Sequence, residues 1–142
     1  MKKLIFIFAL LFAFACKKNN AANNDLTDYD WSLSTATVTP AIVINGKAET
    51  NYRIVQSGCI GAEVKFTFLN NGTYRVFAGG PACDYWNSAE QTYSRTGNEI
   101  SLKNGSTTSI LTLVNNELRN MTTLQINNIT YTVDYVYIRK AK

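Results

Sequence analysis

The sequence contains no histidine, and this absence removes several kinds of chemistry at once. Histidine is the commonest general base and metal ligand, and it activates serine and cysteine nucleophiles. We therefore predict that the chain is not an enzyme and has no catalytic residues, no cofactor and no metal site. Asp84 and Glu90 are the alternative, because a carboxylate pair performs glycoside hydrolysis, but nothing in the sequence places them at a useful separation.

Runs of one charge and helical periodicity are also missing. The net charge of +4 falls to +2 once Lys2 and Lys3 are removed, and no basic run remains, so we predict no nucleic-acid partner. After residue 15, no window of 11 residues keeps the 3.6-residue apolar period of an amphipathic helix. The missing helical period favours a β-rich fold, and the 127 residues after residue 15 are enough for one domain.

The N-terminal segment indicates export. Leu4–Ala15 is an apolar run of 12 residues, shorter than the roughly 20 that span a bilayer, and it fits a signal peptide. With Ala13 and Ala15 just before Cys16, the segment resembles a bacterial lipoprotein signal. The resemblance implies that residues 1–15 are removed and that Cys16 is lipidated. The alternative is an ordinary secretory signal with Cys16 as a free thiol.

Residues 16–28 are polar and rich in asparagine, so we predict a flexible tether between the lipid and a domain at residues 29–142. The lipid makes the membrane the first expected partner. Acidic residues after a lipidated cysteine resemble a surface-export signal in bacteria of the Bacteroidetes type, and "KKNN" lacks them. We therefore expect the protein in the cell envelope, on the outer membrane facing the periplasm, with surface exposure as the alternative.

Two cysteines remain after Cys16, and an even number in an exported chain predicts one disulfide, Cys59–Cys83. In the chain-entropy model, closing this loop stabilises the fold by roughly 3–4 kcal/mol. A metal site is the alternative, although two cysteines without histidine make a poor zinc site.

Apolar residues alternate with polar ones through most of the domain, which is typical of half-buried strands. In "EVKFTFL" (63–69) the apolar set faces one side, and "NNG" (70–72) then predicts a hairpin whose central residues adopt positive φ. The same pattern recurs at "EISLK" (99–103), "TTSILTLV" (107–114) and "ITYTVDYVYIRK" (129–140). We predict an all-β, antiparallel, up-and-down meander of about eight strands, closed into a barrel so that its edges are paired.

Four stretches resemble one family: "YDWSLS" (29–34), "SGC" (57–59), "VKFTFLNNGTYRV" (64–76) and "QTYSRTGNEISLKNG" (91–105). Together they resemble the small lipocalin-like lipoproteins of the Bacteroidetes over residues 29–139. The resemblance implies a lipocalin-like β-barrel and pairs Cys59 with Cys83. The chain departs from the family pattern in having Asn71 before the turn glycine and Tyr93 where tryptophan is common.

A barrel of this size suggests a binding protein that holds a small apolar ligand, since eight strands leave room for one such molecule. The alternative is that the same side chains fill the core. We expect the arginines, Arg139 among them, on the solvated outer face. The candidate ligand-binding residues share an aromatic ring at an inward position: Trp31, Phe66, Phe68, Tyr74, Tyr131, Tyr135 and Tyr137.

A second function from another class stays open. A structural or protein-interaction lipoprotein with a filled barrel would hold an envelope protein on its surface. The segment "AGGPACDYWNSAEQ" (78–91) is the candidate surface, because Tyr85 and Trp86 are good contact residues. The alternative for Trp86 is that it plugs one end of the barrel. In either case we expect a monomer.

Overall fold

The computed structural model describes residues 25–56, 63–78 and 91–142 as one antiparallel sheet of nine strands with a four-residue helix, α1. The elements, in chain order, are β1 (Tyr29–Ile44), β2 (Lys47–Asn51), α1 (Tyr52–Val55), β3 (Val64–Phe68), β4 (Tyr74–Ala78), β5 (Gln91–Thr96), β6 (Glu99–Asn104), β7 (Thr107–Val114), β8 (Glu117–Ile126) and β9 (Ile129–Ala141).

Eight of these strands form a nearly closed barrel. Their order is β4-β3-β1-β9-β8-β7-β6-β5, so each strand from β3 to β9 lies beside its neighbour in sequence, and β2 pairs with β1 outside this path. The two ends of the path meet through a bridge between Thr73 and Thr92, and the Tyr93 N–H donates to the Gly72 carbonyl at 2.8 Å. The predicted all-β meander closing into a barrel is confirmed.

A bulge lets β1 pair with two different strands along one of its edges. Its register with β9 shifts by one residue between Leu33 and Thr35. The extra residue, Ser34, bends the strand and changes which positions face inward. Leu33 is buried before the bulge, whereas Ala36 and Val38 are buried after it. The first half of β1 therefore pairs with β3, and the second half pairs with β2.

The β3–β4 turn differs from its prediction. Gly72 has a φ of 82°, but Asn71 does not adopt a positive φ. The Gly72 N–H donates to the Leu69 carbonyl at 3.2 Å, as in a three-residue hairpin loop with one glycine in the left-handed region. The side-chain oxygen of Asn71 accepts from the Thr73 N–H at 3.1 Å, so Asn71 supports the turn through its side chain. In the turn at 115–116, by contrast, both asparagines have positive φ, 51° and 66°.

The barrel is closed by packed side chains at the end where its first residues enter, which we call the closed end. Residues 25–27 form a helical turn, and Leu26 on that turn is fully buried. The Trp31 side chain is also fully buried, and its indole N–H donates to the Leu26 carbonyl at 3.0 Å. Residues 25–28, at the end of the predicted tether, are therefore held on the barrel.

Arg139 lies at the closed end, where its side chain is only 22% exposed. Its guanidinium is 5.0 Å from the Tyr29 ring centroid and 5.3 Å from that of Trp31, and it pairs with Asp25. The expectation of a solvated outer position was wrong for this arginine. The inward positions of β9 alternate through Tyr137, and Arg139 is the next position of that series.

A second hydrophobic cluster lies toward the end of the barrel opposite the closed end, beneath α1. There β1, β8 and β9 extend past the shorter strands, and Tyr52 of α1 covers them. The Tyr52 and Tyr135 rings meet edge to face with centroids 6.2 Å apart. The buried members of this α1 cluster are Ala36, Val38, Ile42, Tyr52, Tyr131 and Val133.

We expect Asp30→Asn to remove part of the acid sensitivity of folding. Asp30 binds Lys65 at 2.9 Å and accepts from the Thr67 hydroxyl at 2.6 Å. Burial raises the pKa of Asp30, but the hydrogen bonds from Thr67 and Lys65 and the lysine charge outweigh it, so the pKa is lowered. A lowered folded-state pKa stabilises the protein above about pH 4, and this stabilisation is lost as the pH falls through the folded-state pKa.

Urea unfolding of wild type and Asp30→Asn between pH 7 and pH 3 measures this effect. The variant should lose about 1–2 kcal/mol at pH 7, and the difference should shrink below pH 4. Thr67→Val, which keeps the carboxylate but removes one donor, is the matched control and should lose less. Parallel pH profiles for wild type and Asp30→Asn would contradict the assignment.

Candidate functional site

A cavity of about 200 Å³ opens in the barrel above the closed end. Side chains from β3, β4, β6, β7, β8 and β9 contribute to its wall, so the described side chains fill the barrel interior only in part. We call this cavity the cup. Its described lining residues are Phe66, Tyr74, Leu102, Asn104, Thr107, Ser109, Leu111, Asn120 and Tyr137.

The floor of the cup is apolar and aromatic. Leu102 and Leu111 are buried in the core cluster, and Phe66 packs beside them. The Phe66 and Tyr137 rings meet edge to face, with centroids 5.0 Å apart and an interplanar angle of 70°. Tyr74 lies on the other side of Phe66, with ring centroids 6.3 Å apart. This arrangement presents ring edges and methyl groups to whatever occupies the cup.

The rim of the cup is polar but uncharged. Asn104 ends β6, Thr107 and Ser109 alternate along β7, and Asn120 lies on β8. None of the described lining residues is Lys, Arg, Asp or Glu. An ionised ligand would lose its hydration in the cup without meeting an opposite charge, which is costly. The lining therefore favours an uncharged ligand.

Tyr137 is a lining residue of the cup and is itself almost completely buried. Burial raises the pKa of Tyr137 well above its ordinary value, and the nearby Tyr135 adds to the shift. The hydroxyl therefore stays protonated at neutral pH and can both donate and accept a hydrogen bond.

The cup opens sideways where β7 and β8 separate. These strands pair only at Thr112–Arg119, Leu113–Leu118 and Val114–Glu117. Just beyond the Thr112–Arg119 pair, the Asn120 side-chain amide donates to the Ile110 carbonyl at 2.7 Å.

From that hydrogen bond toward Thr107 on β7 and Ile126 on β8, the two strands are not paired, and the cup is in contact with solvent between them. Ser109 faces inward and Thr122 lies opposite on β8, and both are exposed although they belong to the inward faces of their strands. We call this gap the β7–β8 opening, and it gives a ligand access to the cup.

The seven rings predicted to bind a ligand fall into three groups. Phe66, Tyr74 and Tyr137 line the cup. Trp31 and Phe68 are fully buried and pack in the main core. Tyr131 and Tyr135 belong to the α1 cluster, where Tyr131 is buried and Tyr135 packs against it.

The polar residues of the cup were not predicted as site residues. Asn104 lies just after the predicted strand pattern "EISLK" (99–103), although it ends β6 and lies on the same face as Ile100 and Leu102. Asn120 follows the buried Leu118 by two positions, so strict alternation along β8 already places it inside. The sequence therefore contained the signal for both asparagines in its two-residue period.

A larger depression, of about 490 Å³, lies on the outside of the bulge in β1. Ser34, Thr37, Thr50 and Asn51 give it mainly polar walls, and Arg53 donates to the Ser34 carbonyl at 3.5 Å. It is more open to solvent than the cup, and none of its described lining residues carries an aromatic ring. The cup is the better candidate because it combines enclosure, an aromatic floor and polar groups.

Several predictions concern residues outside the described ranges. These are the lipidation of Cys16, the Cys59–Cys83 disulfide and the contact surface with Tyr85 and Trp86. In residues 25–56, 63–78 and 91–142, no group of three or more acidic, cysteine or histidine side chains is arranged to hold a metal ion. Within the same ranges, no helix has the length and apolarity needed to cross a membrane.

Comparison with known proteins gives no match to a family model, to a curated protein or to a solved structure. The class of the protein follows from its architecture: an eight-stranded, antiparallel, nearly closed β-barrel, consistent with a lipocalin-like fold, with an internal cup.

Proposed function

We propose that this chain is a lipid-anchored binding protein of the bacterial cell envelope, without catalytic activity, whose cup holds a small uncharged group with an apolar part. The observation that supports the proposal is the composition of the cup, which has an aromatic and aliphatic floor beneath an uncharged polar rim. A cavity of about 150 Å³ lined by apolar side chains can bind benzene. The cup, at about 200 Å³, can therefore enclose a single aromatic ring or a pair of fused rings.

We expect the purified protein to bind 2-naphthol, which joins two fused rings to a neutral hydroxyl group. Isothermal titration calorimetry should give a Kd of about 10 µM to 1 mM, as expected for a small ligand. Chemical-shift changes in a ¹⁵N-labelled sample should centre on the cup. The anion 2-naphthoate should bind at least about tenfold more weakly, because no cation in the described lining compensates for its desolvation.

A matched pair of variants locates the binding. Ser109→Phe places a ring in the cup, whereas Thr108→Phe places the same ring on the outer face of the same strand. Binding should be lost in the first variant and kept in the second. Equal affinity in both variants, or equal affinity for 2-naphthol and 2-naphthoate, would refute an uncharged ligand in the cup.

Lipid anchoring has its own test. We expect Cys16→Ser to move the protein from the membrane fraction to the soluble fraction of the producing bacterium, because several acyl chains supply most of the membrane affinity. Intact mass of the wild-type protein should show an acylated chain that begins at Cys16. An unmodified thiol on a soluble wild-type protein would instead support the ordinary secretory signal.

A second candidate function, that of a protein-interaction lipoprotein, is favoured by one observation. The edge of β8 beside the cup has no strand partner among the described residues over much of its length.

A further inference from the structure

We propose that the group held in the cup is a side chain of an extended, uncharged peptide segment from a partner protein. The segment would add as a strand along β8 in the β7–β8 opening. This inference rests on the proposed function of the cup, and it adds the chemical class of the ligand and the surface that binds it.

The first support is an unpaired strand edge. On its β7 side, β8 pairs only at Glu117–Arg119, so residues 120–126 have no partner strand there among the described residues. Across the opening, residues 107–111 of β7 pair with β6 but not with β8. The Ile110 carbonyl accepts from the Asn120 side chain, and the other backbone N–H and C=O groups of both edges have no described strand to pair with across the gap. Such groups are the usual template for the addition of a peptide strand.

The second support is that the residues of this edge carry none of the charges, prolines or bulges that usually protect an exposed strand. Native proteins block exposed edges with charges, prolines or bulges. Residues 120–126 contain no charged residue and no proline, and β8 pairs with β9 over ten consecutive positions without a register shift. Residues 107–111 are also uncharged. A regular, uncharged edge is complementary to an uncharged β-strand.

The third support is the position of the cup relative to the edge. Side chains of a strand alternate between its two faces, so a strand along β8 would direct every second side chain inward. An apolar side chain at the centre of the segment would enter the cup above Phe66 and Leu111. The outward side chains would lie near Met121 and Ile110, which are 69% and 42% exposed and so offer apolar contacts.

A peptide uses more of this surface than a free small molecule does. A small molecule can fill the cup, but it leaves the backbone groups of both edges in water. A strand satisfies those groups and places one side chain in the cup, so main-chain hydrogen bonds supply affinity and the cup supplies specificity. The uncharged rim and the uncharged edges select against acidic and basic segments alike.

The test uses capped heptapeptides, Thr-Gln-Val-Xaa-Val-Gln-Thr, with Phe, Tyr or Leu at the central position. At least one should bind the purified protein about tenfold more tightly than the peptide with Asp at the centre, since the cup has no charged partner for a carboxylate. Two further peptides carry N-methyl groups at alternate residues, so that each blocks one strand edge without changing the side chains. One of these two should lose at least about tenfold in affinity.

Hydrogen–deuterium exchange identifies the edge directly. The peptide should slow exchange of amides within residues 120–126, whereas 2-naphthol should leave these amides unchanged. Ser109→Phe should weaken peptide binding, and Thr108→Phe should not.

The outcomes separate this inference from the proposed function. If 2-naphthol binds in the cup but no peptide does, or if both N-methylated peptides bind as well as the parent, the peptide inference is overturned and the cup function stands. If neither 2-naphthol nor any peptide binds, both are overturned. Peptide binding with protection of residues 120–126 and sensitivity to Ser109→Phe supports both.

Discussion

Replacing Trp31 with alanine destabilises the folded protein by about 3–5 kcal/mol, the range for removing a large aromatic side chain from a core. Trp31 is fully buried, its indole N–H holds the Leu26 carbonyl at 3.0 Å, and the Arg139 guanidinium stacks on its ring. Alanine would leave a cavity at the closed end and remove both interactions. Urea unfolding, followed by far-ultraviolet circular dichroism, should show a lower midpoint with an unchanged slope.

Trp31→Phe is the matched control for this substitution. It keeps a buried ring but removes the indole donor, so the Leu26 carbonyl loses its partner and the expected cost is about 1–3 kcal/mol. If Trp31→Ala cost no more than Trp31→Phe, the ring would contribute little packing energy. The assignment of Trp31 to the center of the closed end would then be wrong.

The second large effect is expected at Arg139. Replacement with alanine should cost about 2–3 kcal/mol, because two aromatic contacts, each worth about 0.5–1 kcal/mol, are lost together with the packing of the aliphatic stem. Asp25, its ion-pair partner, is 42% exposed, so Asp25→Ala should cost less than about 1 kcal/mol. A larger loss of unfolding free energy in Arg139→Ala than in Asp25→Ala would show that ring stacking contributes more than the ion pair.

Arg139→Lys keeps the charge but not the planar guanidinium, and it should recover only a small part of the loss. Because Arg139 and Trp31 are in contact, their effects should not add. A double-mutant cycle with Trp31→Phe and Arg139→Ala should give a coupling energy of about 0.5–2 kcal/mol. Equal costs for Asp25→Ala and Arg139→Ala, or full rescue by lysine, would contradict the stacking account.

Much of the barrel followed from local pattern. Alternation in β9 correctly assigned Tyr131, Val133 and Tyr137 to the interior, because a half-buried strand must repeat every two residues. The burial of Leu26 did not follow, since a short polar stretch gives no sign that one leucine will close a barrel. The bulge at Ser34 was equally hidden, because it depends on how β1 must bend to pair with two different neighbours.

The cup was only half predictable, for a similar reason. Aromatic residues at inward positions indicated a lined interior, and three of them do line the cup. Strand lengths, and the point at which β7 separates from β8, decide which rings fill the core and which rings line the cup. That separation comes from the packing of whole strands, and the residue pattern of "TTSILTLV" and "ELRNM" does not indicate it.

The pairing of β1 with β9 also decides on which side of the barrel the first and last residues of the domain lie. Tyr29 pairs with Ala141, and Lys142 donates to the carbonyls of Thr27 and Phe68, so both ends of the folded domain lie together at the closed end. With Cys16 lipidated as proposed, the membrane attachment would reach the barrel from that side. The cup, which opens sideways between β7 and β8, would then receive its ligand from the aqueous compartment beside the barrel rather than from the lipid.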